Sequence, residues 1–165
     1  MGAPRARRSG YRGATLTVST IPTKLARQQI AALRGKAKAS FLLAVEDIRH
    51  RGCAAAGVRL AGEALSGICR LDLYGAWRLL TVFEAPDRCV LLLVAEHTRS
   101  ANPYRLLYAA LGIDEPKEPR TKPSCCDAEG QPPIDPDILE RFEHGLRDLG
   151  HVLPADAGAS SRRRR

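Results

Sequence analysis

Between Cys69 and Thr98 the chain writes three strands with almost nothing between them: CRLDLYG, AWRLLTVFEAP and DRCVLLLVAEHT. Leu71 and Leu73 alternate with Arg70 and Asp72, the pattern of a half-buried strand, whereas Val90 to Ala95 is apolar throughout, the pattern of a strand covered on both faces. Gly75-Ala76 and Ala85-Pro86-Asp87-Arg88 are short links with turn chemistry, so the run predicts an antiparallel meander. Its last strand ends at Glu96-His97-Thr98-Arg99, where polar side chains gather.

The segments around the meander set the rest of the fold. Ala14 to Thr20 carries alternating β-branched residues and predicts a first strand. Pro22-Thr23 opens a helix with Leu25, Ile30 and Leu33 near one face, stopped by Gly35. Ser40 would cap a second helix bearing Phe41, Leu42, Val45 and Ile48, which ends at Gly52. Val58 to Leu60 reads as a short strand or a lead-in to the meander. After Asn102-Pro103, Tyr104 to Leu111 predicts a short helix closed by Gly112. The fold class is therefore α+β: a small antiparallel sheet, made of the N-terminal strand and the C-terminal meander, packed against an N-terminal helical hairpin.

Prolines at 116, 119, 123, 132 and 133 predict that residues 113–134 are a linker rather than a packed element. Asp135-Pro136 then starts an acidic amphipathic helix over 135–150, with Ile138, Leu139, Phe142, Leu146 and Leu149 in one stripe that must bury against the body or a partner. Residues 1–13, rich in Arg and Gly, predict a disordered basic arm, and 151–165 a disordered tail ending in four arginines. The folded domain is expected over 14–112.

A net charge of +8 hides an asymmetry. Residues 1–112 hold 17 Lys/Arg against 7 Asp/Glu, and residues 113–161 hold 5 against 11. A basic body implies an anionic partner, with nucleic acid the leading class, while the acidic segment is a solvated tail or a cover for the basic body. No apolar run approaches the roughly 20 residues of a membrane-spanning helix, and no apolar stretch follows the basic N-terminus as in a secretory signal. Cys53, Cys69, Cys89, Cys125 and Cys126 form an odd count without a framework spacing, so they are expected to be reduced and the protein cytoplasmic. Adjacent Cys125 and Cys126 suit a zinc site poorly, since zinc ligands are spaced C-x₂₋₄-C; a redox-sensitive exposed pair or incidental thiols fit better. Gly-rich phosphate loops, HExxH and G-x-S-x-G are absent from the sequence, so nucleotide hydrolysis, zinc proteolysis and α/β-hydrolase chemistry have no support, and no cofactor or metal is expected.

The order of strand, two helices, three-stranded antiparallel run and short closing helix resembles the RelE/ParE superfamily of bacterial toxins over residues 14–112. The local carriers are RLAGE before the meander, LYGAWRLLTVFE with Arg78 beside an aromatic, and VAEHTRSANPYRLLY at its end. Family members carry a charged or His residue after the final strand and a Tyr in the closing helix. RelE-like members cut mRNA on the ribosome and ParE-like members inhibit DNA gyrase, so fold alone does not settle the activity. The resemblance implies RNA or the ribosome as target, and an antitoxin protein as partner. Residues 135–149 would be an intramolecular cover for the basic body, or a structural extension folded against it.

Metal-independent RNA cleavage must deprotonate a 2′-hydroxyl, stabilise the phosphorane and protonate the leaving 5′-oxygen. Arg and His supply much of that set, Arg as a permanent forked phosphate donor and His as a group titrating near neutrality. The resemblance implies His97 as general acid or base, Arg78 as transition-state stabiliser and Tyr104 as a stacking or hydrogen-bonding partner. Arg59, Arg70 and Arg99 would hold flanking phosphates. One departure stands out: no lysine occurs between Lys38 and Lys117, so the lysine-rich active strand of RelE-like nucleases has no counterpart. The same residues also have structural readings. His97 can be a satisfied strand-end histidine, Arg70 and Arg78 cross-strand partners of Asp72 and Glu84, and Tyr104 and Tyr108 core anchors. A metal-independent endoribonuclease, a non-catalytic protein that binds gyrase or nucleic acid, and a degenerate family member without toxicity all remain open on the sequence.

Overall fold

The computed structural model describes residues 17–62, 65–115 and 122–149, apart from the side chains of Glu143 and residues 146–149. The expected arm at 1–13, the start of the first strand at 14–16 and the tail at 151–165 lie outside the described residues. The elements are β1 (Ser19–Pro22), α1 (Lys24–Ala32), α2 (Gly35–Arg51), a 3₁₀ turn (Gly52–Ala55), β2 (Val58–Arg59), β3 (Ile68–Asp72), β4 (Trp77–Ala85), β5 (Arg88–Glu96), α3 (Pro103–Leu111) and α4 (Pro136–Leu149).

The fold is α+β around one five-stranded sheet of order β1-β5-β4-β3-β2. The β3–β4–β5 meander is antiparallel as expected, but β1 runs parallel to β5, so the sheet is mixed rather than purely antiparallel. The reason is the connection: parallel neighbours cannot share a hairpin, and here the intervening chain includes the α1–α2 pair, β2 and the first meander strands. β1 is short, and α1 completes the exposed edge of β5 beyond it. The Thr23 hydroxyl donates to the Leu92 carbonyl (2.7 Å) and accepts from Ala26 N–H as the α1 cap (3.1 Å), while Gln29 Oε1 accepts from Val94 N–H (2.8 Å).

Two core clusters lie on opposite faces of the sheet. The α1/α2 face holds Leu33, Phe41, Ile48, Leu71, Leu79, Phe83 and Leu91; the other holds Leu80, Val82, Val90, Leu92, Leu93 and Leu107 with Ile138, Leu139 and Phe142. An irregularity in the β4–β5 register, Leu80 opposite Leu93 and Thr81 opposite Leu91, puts Leu92 and Leu93 on the same face. That bulge and the double cover account for the unbroken apolar run of β5.

Two local expectations change. Gly35 does not end a helix but begins α2, with φ +53°, and Leu33 caps α1. Ser40 is therefore inside α2, where its hydroxyl accepts from Tyr74 N–H (3.0 Å) and ties the helix to the β3–β4 turn instead of capping.

The second half of the Pro-rich stretch differs more from its reading as an unpacked connection. Arg59 N–H donates to the Pro123 carbonyl (2.9 Å), Ser124 bridges to Val58, and Cys125 N–H donates to the Gly57 carbonyl (3.1 Å). Residues 123–125 thus add to the β2 edge, and two disulfides, Cys53–Cys126 and Cys69–Cys125, fix them there. The expectation of reduced thiols, and the zinc and free-thiol readings of Cys125 and Cys126, are corrected by these pairings; Cys89 alone among the five is free, and it is buried. Sequence spacing missed them because the four sulfurs converge only once the chain has rounded the sheet edge. From there Asp135 Oδ1 caps α4 through Asp137 N–H (3.1 Å), and the stripe of Ile138, Leu139 and Phe142 buries on the far face. The predicted contributions of Leu146 and Leu149 lie outside the described side chains.

Candidate functional site

Strand alternation decides which candidates share a face. Asp72 pairs with Arg78, Arg78 with Ala95 and Arg70 with Leu80, and Leu80 and Ala95 both belong to the α3/α4 side of the sheet. Arg70, Asp72 and Arg78 therefore stand on that side, at the end of the sheet where β5 runs out. His97 follows β5 with its N–H donated to the Ala76 carbonyl (2.8 Å), which continues the ladder by one step. That makes it the diagonal neighbour of Arg78, roughly 7–8 Å away between Cα atoms.

α3 brings Tyr104 to the same place. Asn102 caps the helix by accepting from Tyr104 N–H (2.9 Å), and Pro103 stands in its first turn, so the first ring of α3 is held against the strand end. The His97 and Tyr104 rings meet edge to face with centroids 5.1 Å apart. His97 is exposed and Tyr104 half-buried. Tyr108, one turn on, is buried in the core, as the anchor reading expects.

The two arginines converge on one carboxylate. Arg78 Nε lies 3.0 Å from Asp72 Oδ1, and its Nη1 donates to the Gly75 and Trp77 carbonyls (3.0 and 2.8 Å). Arg70 Nη2 donates to Asp72 Oδ2 (3.1 Å), while its Nε lies 3.0 Å from Oδ1 without the alignment of a hydrogen bond. Asp72 is itself half-exposed, with 54% of its side chain in solvent against 16% and 20% for the arginines. The cluster carries net positive charge at the sheet surface, but Arg78 already commits Nε and Nη1 to fixed acceptors. Of the two cross-strand partners expected, Asp72 is in place; Glu84 pairs with Arg88 instead, across the β4–β5 turn (2.6 Å).

The remaining candidates separate. Arg59 is in register with Cys69, whose side chain belongs to the α1/α2 core, so it stands on the opposite face from Arg70. Its Nε is buried without a hydrogen-bond partner. Arg99 is exposed in the loop after β5, near His97 in sequence, with no ion pair among the described residues. A basic surface that the site reading did not use lies elsewhere. From Lys24 to Val45 the α1–α2 hairpin carries Lys24, Arg27, Arg34, Lys36 and Lys38 with no acidic residue. Beside them Leu42 and Leu43 are 57% and 72% exposed. The charge pattern of those residues was legible; the exposure of the two leucines was not.

Among the described residues there is no cluster of three side chains suited to hold a metal ion, and no helix is long and apolar enough to cross a membrane.

No protein-family model and no curated protein matches this chain. Among solved structures, the toxin–antitoxin complex RelBE2 of Mycobacterium tuberculosis is similar at 22% identity, over 49% of this chain and 99% of that one, with a TM-score of 0.37. At that score the likeness carries no argument about what this chain does.

Proposed function

We propose that the chain is a toxin-like protein of the RelE/ParE kind that acts on RNA, alone or on the ribosome, under the control of an antitoxin. The observation that carries this reading is the edge-on contact of His97 with Tyr104 at the diagonal neighbour of Arg78. An exposed imidazole against an aromatic ring, diagonal to Arg78, which shares Asp72 with Arg70, is a constellation able to move a proton next to a bound phosphate. In this reading His97 is the general acid or base, Tyr104 orients its ring, and Arg78 and Arg70 hold the phosphate, with Arg99 on the flanking backbone. Asp72 would then be displaced from the arginines by the phosphate oxygens, a like-for-like exchange of anionic acceptors.

A second reading, a binding protein without cleavage, is favoured by one specific feature: Arg78 is held by Asp72 and two backbone carbonyls. The two separate in a single experiment. Purified full-length protein and its His97→Ala variant are incubated with RNA, with and without ribosomes, and both bound and intact RNA are followed. Cleavage by the wild type and at least a hundredfold loss in the variant, with binding retained, supports catalysis. Equal binding and intact RNA in both leaves the binding reading.

A further inference from the structure

The C-terminal segment changes sides of the sheet. α3 lies on one face; Cys125 is then embedded in the core of the other, with Cys53 and Cys69; and by Ile138 the chain is back on the α3 face. The crossing back passes directly against Gly67, where an added Cβ would come 3.1 Å from Asp135 Cβ, 3.2 Å from Ile138 Cδ1 and 3.4 Å from the Pro133 carbonyl. Residues 122–135 are thus a strap hooked over the β2 edge, and the nested pair Cys53–Cys126 and Cys69–Cys125 is what fastens it. The two bonds differ in access. Cys53, Cys69 and Cys125 are 4%, 0% and 1% exposed, whereas Cys126 is half-buried at the surface. Beyond it the strap folds on itself in a turn, Asp127 accepting from Glu129 and Gln131 N–H (3.0 and 2.7 Å). Against the body, the strap is held by two backbone hydrogen bonds that form the Val58–Ser124 bridge, by the two sulfur bridges, by the burial of Pro132, and by the packing of Pro133 and Asp135 against Gly67.

We propose that Cys53–Cys126 is a site of thiol–disulfide exchange and that the strap is a redox-fastened clasp for α4. The co-reactant is a thiol of the glutathione class. Its thiolate attacks Cys126 Sγ, the bond to Cys53 breaks, and Cys53 leaves with the electron pair and takes up a proton. A second thiol displaces Cys126 from the mixed disulfide, so two small thiols are oxidised to one disulfide while the protein gains two thiols. Opening of the outer bond loosens the strap and gives the same reductant access to Cys69–Cys125. With both bonds open, α4 is joined to the body by an untied chain, its effective concentration over the sheet falls, and it leaves the face formed by β4 and α3. This device is independent of the target proposed above, and its test does not involve RNA.

The full-length protein, purified without reductant, is titrated with dithiothreitol, pulse-labelled with iodoacetamide and mapped by mass spectrometry, with hydrogen exchange followed in parallel. Cys53 and Cys126 are expected to label at least tenfold earlier than Cys69 and Cys125. Exchange over 136–145 is expected to rise tenfold or more only after the second bond opens, and exchange at Leu80, Val82 and Leu92, which α4 covers, to rise with it. A Cys53→Ser/Cys126→Ser variant should keep slow exchange in α4, and adding Cys69→Ser/Cys125→Ser should reproduce the reduced protein. Four alkylatable thiols besides Cys89 in protein isolated under air, the opposite order of opening, or unchanged exchange in α4 once both bonds are reduced would each overturn the proposal.

Discussion

One face of this sheet has two ends built on different principles. At the β4–β5 turn end, Val82, Val90 and Leu92 are buried beneath Ile138, Leu139 and Phe142 of α4. At the other end the same strands carry Arg78, Asp72 and His97, the last two largely exposed, with the first turn of α3 as the nearest wall. Arg78 and Val82 are four residues apart on β4, about 13 Å along the strand. Beside β4, α4 lines a cleft with Val82, Phe83 and Glu84. The difference assigns separate jobs: the C-terminal extension supplies core to the apolar end, and the polar end is left open. A segment that was acidic enough to be read as a cover for the basic body is, in the fold, part of its interior.

The comparison is broken most forcefully from the dry end. Phe142 is fully buried, and Phe142→Ala should cost about 3–5 kcal/mol in urea unfolding, through the lost transfer energy and the cavity left behind. A cost below about 1 kcal/mol would mean that α4 is not part of the core. Gly145 is a second probe: a Cβ there would overlap the Ala110 carbonyl, so Gly145→Ala should separate α4 from α3 and cost about 1–3 kcal/mol. On the β5 edge, Thr23→Ala removes both the α1 cap and the bond to Leu92, and should cost about 1–2 kcal/mol without altering nucleic-acid binding.

The wet end predicts the reverse pattern. Asp72 is half-exposed, so Asp72→Asn should shift stability by less than about 1 kcal/mol. Freed of their carboxylate, Arg70 and Arg78 should bind RNA more tightly, with the slope of log K against log salt steeper by roughly one unit. Unchanged affinity would show that this end does not meet an anion. A separate effect is in pH. Burial pushes the Cys89 thiol from 9.0 up to about 12, the Thr81 hydroxyl partly opposing. The unfolded thiol ionises first, so its contribution to stability is complete below about pH 9 and is lost as pH rises toward about 12. Urea midpoints of the wild type should therefore fall relative to Cys89→Ala between pH 8 and pH 10.5, and parallel curves would place Cys89 in contact with water.

Much of this contrast was legible in the residues, and what was not has identifiable causes. The meander could be read because its strands alternate or run apolar between turn residues. Its bulge at Leu92-Leu93 could not, since an unbroken apolar run hides a change of parity. Strand direction is not written in a period of two, so β1 could be placed as a strand but not as the parallel neighbour of β5. Gly35 reads as a helix stop until its positive φ is seen to open α2. The resemblance named His97 and Tyr104 as site residues without saying that their rings meet, and the separation of Arg59 from Arg70 turns on one step of register. The convergence of four cysteines depended on a strap whose prolines argued for a free linker, because proline content reports stiffness and says nothing about what the stiff segment leans on.

The claim that the C-terminal extension completes the core, rather than masking a site, is tested most directly by deleting residues 113–165. Urea unfolding, RNA binding and RNA integrity would be compared with the full chain. The account predicts a chain that loses its cooperative transition and binds or cuts no better, because Leu80, Val82 and Leu92 are left without cover. A truncated protein that still unfolds cooperatively with unchanged stability, and that binds or cuts RNA more strongly than the full chain, would contradict it.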